Sequence, residues 1–153
     1  MTPAIAERVK RLDEIELLSG AHEPPPPTCD NPKGCAEEIA AWVMGLDWTD
    51  HPPGVSPVIS AFMRRLNDGL PDDLRQHLKP YLLRQFGTEN DGHDELRGWM
   101  LTDWIVHTAL PTWLDLAGVN DVAKALRLVS RAIGQAFRRR GRFGASRRNT
   151  QPA

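Results

Sequence analysis

Apolar residues recur along this chain with the period of a helix and almost never with the alternation of a strand. Ile5, Val9 and Leu12 fall on one side of a segment opened by Thr2 and Pro3, a capping residue followed by a residue suited to the first helical position, and Gly20 is its expected stop. This predicts an N-terminal helix over 1–20. A second helix is expected from Cys35 to Leu46, with Ile39, Trp42, Val43 and Leu46 as its stripe. A third opens at Ser56-Pro57, carries Val58, Ile59, Phe62, Met63 and Leu66, and ends at Asn67-Asp68-Gly69. Pro71, followed by two acids, restarts the pattern; Pro80 breaks or kinks it, and "YLLRQF" resumes it up to Gly87.

The longest apolar segment, "GHDELRGWMLTDWIVHTAL", presents Leu96, Trp99, Met100, Trp104 and Ile105 and is interrupted at Pro111. Trp104 is expected in the centre of the bundle beside Met100. After the short "PTWLDLAG", Asn120 is placed to cap a last helix whose buried stripe is Val122, Ala125, Leu126, Val129, Ile133 and Phe137. The expected fold is all-α, a compact bundle of about six or seven helices. Its organisation reads as an N-terminal helix (1–20), a proline-rich linker (21–34), a helical domain (35–137) and a basic, flexible arm (138–153). The four prolines from Pro24 to Pro27 cannot lie inside a helix and suit an extended spacer.

A length of 153 residues suits one domain. No apolar run is long enough to span a membrane, and the charged N-terminus lacks a signal-peptide core, so a cytoplasmic protein with no membrane association is expected. The net charge of −1 conceals a strong asymmetry. Residues 1–121 hold all 20 acids and 10 of the Lys and Arg, whereas residues 122–153 hold 9 bases and no acid. Arg138, Arg139, Arg140, Arg142, Arg147 and Arg148 make the arm a candidate site for nucleic acid or another polyanion, because guanidinium groups pair with phosphate and stack on bases. A solvated tail, or one that contacts protein, is the competing reading.

Other candidate chemistry is sparse. In "DWTDHPPGVSPVIS", His51 could serve a catalytic or metal site, yet each unusual residue there also has a local task in ending one helix and starting the next. Asp103 and His107, at i and i+4, share a helix face and could orient a base or be no more than a surface pair. A zinc set of His22, Cys29, Cys35 and His51 lacks the usual close cysteine pair, so neither a metal nor a cofactor is expected. Of five tryptophans, Trp48 and Trp113 are the candidates for exposed protein-contact anchors.

The succession "WTDHP", "VSPVI", "RRLND", "LKPYL", "GT", "WMLTDW" and "PTWLDLAG", over roughly residues 38–120, resembles a helical domain of actinobacterial and phage-encoded proteins. The resemblance implies a helical fold and such a source. It implies no catalytic residue, because that domain has no assigned activity. Similar sequences carry a cysteine where Gly54 stands here, which counts against a thiol or metal role for this loop. The leading expectation is a non-enzymatic helical module that binds a protein partner or itself. The alternatives are a nucleic-acid-binding accessory protein acting through the arm and, more weakly, an enzyme or metal site built from His51, Asp103 and His107.

Overall fold

A computed structural model describes residues 2–128. Among these the secondary structure is helical with no strand, only two isolated bridges, Leu17 with Gly34 and Val55 with Phe86. The all-α expectation therefore holds. The chain divides into two compact units, 1–97 and 98–153.

In the first unit, helix α1 (Pro3–Lys10) begins as expected: the Ile5 N–H donates to Thr2 Oγ1 at 3.3 Å. It does not continue to Gly20. A 3-10 turn, Leu12–Glu14, follows, and the chain then runs extended so that Ile15 and Leu17 are both fully buried. Residues two apart point to nearly opposite sides of a helix but to the same side of an extended chain, and burying both selects the extended form. The Leu18 N–H bonds to the Gly34 carbonyl at 2.8 Å.

That bond anchors the segment expected to be a spacer. Its prolines are non-helical, as four in a row require, but Pro32 is fully buried. Gly34 lies flat against Trp48, where a Cβ would stand 2.7 Å from the indole ring. Residues 21–34 thus form part of the first unit.

Helix α2 (Ala36–Met44) is the centre of this unit, buried on nearly every side. Gly45, at φ +73°, closes it in the left-handed conformation that glycine adopts without strain. Around α2 pack Leu12, Ile15 and Leu17 from the N-terminal segment, Met63 from α3 (Pro57–Gly69), and Leu78 and Leu82. After α4 (Asp72–Arg75) the chain tightens into a 3-10 turn, Gln76–Tyr81, that contains Pro80. Turns rather than a further helix then carry the chain to Phe86. Pro80 supplies no N–H for a continuing α-helix, and tighter turns still bring Leu78 and Leu82 into the core.

The second unit opens within α5 (Asp94–Trp104). A π-helical turn, Ile105–Ala109, leads directly into α6 (Leu110–Leu116). Pro111 does not interrupt the helical path. It sits in the first turn of α6, where a missing N–H is tolerated, and the widened turn before it takes up the change in hydrogen bonding. Gly118, at φ +78°, reverses the chain, and residues 120–128 are helical. The described part of the unit is a helical hairpin.

Candidate functional site

In the first unit the polar side chains concentrate at the start of α2. Cys35 caps the helix, and Glu38 accepts hydrogen bonds from the Cys35 N–H at 2.8 Å and the His22 N–H at 2.7 Å, with His22 Nδ1 at 3.0 Å. The indole of Trp48 donates to the His22 carbonyl at 2.8 Å. Asn67 of α3 accepts from the Ala36 N–H at 3.1 Å and donates to the Leu18 carbonyl at 2.9 Å. These buried groups tie three separate segments to one helix end.

One turn away, Glu37 is fully buried and receives a hydrogen bond from Gln85 Nε2 at 2.8 Å. Burial pushes its carboxyl up to about 7, against the lowering effects of the Gln85 bond and the Arg64 charge. Among the described residues, Glu37 Oε1 and Gln85 Oε1 have no hydrogen-bond partner. A proton on Glu37 would turn one of these two acceptors into a donor. Burial likewise pushes the Cys35 thiol up to about 12, which keeps it neutral and unsuited to nucleophilic attack near neutral pH.

A cavity of about 390 Å³ opens beside this helix start, lined by Cys35, Asp50, Arg64, Arg65 and Asp68 among others. Two of its charges are already committed to the fold. Arg64 Nη1 donates to the Asp50 carbonyl and to Ser60 Oγ, each at 2.8 Å. Asp68 accepts from the Gly20 N–H at 2.8 Å and from Asn67 at 3.0 Å. Burial raises the Asp68 carboxyl, but those two bonds together with the Arg75 and Arg65 charges hold the group below its ordinary range.

The loop from Asp47 to Ser56 acts mainly as punctuation. Gly54, at φ +88°, turns the chain so that its carbonyl accepts from the Gly87 N–H at 2.8 Å, while its N–H donates to Glu89. Ser56 caps α3, accepting from the Ile59 N–H at 3.4 Å, and its hydroxyl also bonds to Asp94. His51 is exposed and paired with the adjacent Asp50, Nδ1 to Oδ1 2.6 Å. Arg97 clamps the far side of the same region through Asp91 and Asp94, and its hydrogen bond holds the Asp91 carboxyl well below the usual carboxylate range.

In the second unit, Asp103 and His107 do meet across one turn, Oδ1 to Nδ1 2.8 Å. His107 lies at the π-helical turn, with its Nε2 buried and without a partner among the described residues. Nothing in either unit gathers the proposed metal ligands: among the described residues no three His, Cys, Asp or Glu side chains stand close enough to hold an ion. Of the two tryptophans expected at the surface, Trp48 is half-buried and packed against the core, whereas Trp113 is 66% exposed.

The apolar stripe of the long segment contradicts its expectation. Trp104 is 47% exposed and Met100 63% exposed, so neither lies in a bundle core. Trp99 is 49% exposed and Leu116 83% exposed, and Leu96 and Ile105 also face solvent. In the last helix Val122 and Ala125 are exposed, Leu126 is half-buried, and Ala123 is the residue that is buried. Among the described residues of this unit the buried positions are Ala109, Pro111 and Ala123, which form no interior large enough to cover these side chains. Val129, Ile133, Phe137 and the arginines Arg138, Arg139, Arg140, Arg142, Arg147 and Arg148 lie outside the described residues. No helix among the described residues is long and apolar enough to cross a membrane.

Comparison of the chain with protein-family models, with curated proteins and with solved structures finds no match.

Proposed function

We propose that this protein is a non-enzymatic interaction module whose contact surface is the helical hairpin of its second unit. The observation that carries the reading is the exposure of Trp99, Met100, Trp104, Trp113 and Leu116 on that hairpin. Scattered exposed apolar residues are ordinary, but a short helical element that carries this many large ones is built to be covered. Tryptophan is the side chain most enriched among residues that dominate binding energy. The polar groups of the first unit fit this reading, since each named bond there links one part of the fold to another.

The test is whether the full chain either binds an apolar fluorescent dye through this hairpin or hides the hairpin in an assembly. Met100→Lys and Leu116→Lys should abolish the dye binding in the first case and dissociate the assembly in the second. A monomer that binds no dye would refute the reading.

A second reading is favoured by the charge of the chain. Residues 129–153 contain seven arginines and no acid, which suits contact with a nucleic acid. Such binding should weaken steeply with salt, with a slope of about −0.9 per phosphate neutralised on duplex DNA. Replacing Arg138, Arg139, Arg140 and Arg142 with glutamine should then remove most of it in a fluorescence-anisotropy titration. Equal binding by the variant would exclude the arm as the site.

A further inference from the structure

We infer that the occupant of the apolar hairpin is a second copy of this chain, the two hairpins packing into a four-helix assembly. The inference rests on the interaction reading above and gives it a partner.

Area is the first argument. Three half-exposed tryptophans and the aliphatic side chains around them leave on the order of 600–900 Å² of apolar surface on the hairpin. Each partner in a stable protein interface contributes about 800 Å². A self-complementary pairing across a two-fold axis uses the same patch twice, so one hairpin supplies all that is needed. Met100 and Trp104 stand one helical turn apart, the spacing with which side chains of facing helices interdigitate in a bundle.

Architecture is the second argument. The described part of this unit is two helical segments that bury only Ala109, Pro111 and Ala123. Two such hairpins make the smallest common helical fold with a true core.

Charge is the third. Residues 98–128 hold three acids and two bases, so the face itself is nearly neutral and two copies do not repel across it. The segments on either side are oppositely charged. Residues 1–97 hold 17 acids and 10 bases, and residues 129–153 hold seven arginines alone.

Sedimentation equilibrium on the full chain decides the matter, with tryptophan emission read over the same dilution series. The expected result is a dimer whose emission shifts to the red on dilution, as indole rings return to water. Leu116→Lys should raise the dimer dissociation constant at least about tenfold, and Met100→Lys with Leu116→Lys should leave a monomer of unchanged far-UV circular dichroism. Both positions are more than half exposed, so neither substitution removes an interior contact. Should the double variant lose helicity, the dilution shift of the unaltered chain still decides. A dimer that both variants leave intact would overturn the inference, as would a dimer whose emission is unmoved by dilution into monomer. A monomer that binds the apolar dye through this face would overturn the second copy while leaving the interaction reading standing. A monomer without dye binding would overturn both.

Discussion

Replacing Glu37 with glutamine should make the first unit less sensitive to pH and more stable in mild alkali. Glu37 is fully buried, and its carboxyl is pushed from an ordinary 4.5 up to about 7. Between those values the folded chain holds a proton that the unfolded chain has released. Stability therefore falls as pH rises, being fully present below about 4.5 and lost as pH passes through about 7. Each unit of pKa difference corresponds to about 1.4 kcal/mol, so the whole loss by pH 8 is on the order of 3 kcal/mol. That is a large fraction of the stability of a small domain. Glutamine preserves the shape, stays neutral at every pH and can donate where the carboxylate cannot, while its carbonyl still accepts from Gln85. The Glu37→Gln variant should match the parent near pH 5 and exceed it by about 3 kcal/mol near pH 8. Urea unfolding followed by far-UV circular dichroism at a series of pH values measures the difference. Parallel curves, with a constant offset between variant and parent, would show that Glu37 is not the group that holds the proton.

Three further substitutions probe the same unit by the same unfolding assay. Ile39→Ala, at a fully buried position of α2, should cost about 2–5 kcal/mol, and a cost below about 1 kcal/mol would remove α2 from the centre of the core. Asn67→Ala leaves the Ala36 N–H and the Leu18 carbonyl without their partner and should cost about 1–3 kcal/mol for each group left buried and unsatisfied; a neutral result would mean water reaches that site. Gly34→Ala places a Cβ against the Trp48 ring and Glu38 Oε2, and should cost about 1–3 kcal/mol with a shift in tryptophan emission; a variant as stable as the parent would show that this packing is loose.

Much of the local structure is legible in the residues themselves. Thr2-Pro3 and Ser56-Pro57 start helices where a capping hydroxyl precedes a residue with no N–H to satisfy, and α3 ends at Gly69 as its sequence indicates. The Asp103–His107 pair follows from helical spacing alone. Less of the candidate site was legible. Glu37 and Glu38 read as ordinary acids in the first turn of a helix, where the dipole favours them, and nothing local marks them as buried. Their burial depends on Gln85, 48 residues away, and on His22, 16 residues before Glu38. The stripe at Trp99, Met100 and Trp104 was readable as a face that needs covering. Its period says nothing about which surface covers it.

By itself, then, the order of residues determined the helical class, most helix starts and the charge asymmetry, because each depends on neighbours within one or two turns or on simple composition. Tertiary structure alone decided that Ile15 and Leu17 leave the helix for an extended course, that the proline-rich segment belongs to the first unit, and that α2 is buried on nearly all sides. It also decided that Trp99, Met100 and Trp104 stand exposed, in the second unit. Periodicity reports how a segment divides its surface between apolar and polar faces. Which faces meet is set by packing among residues distant in sequence.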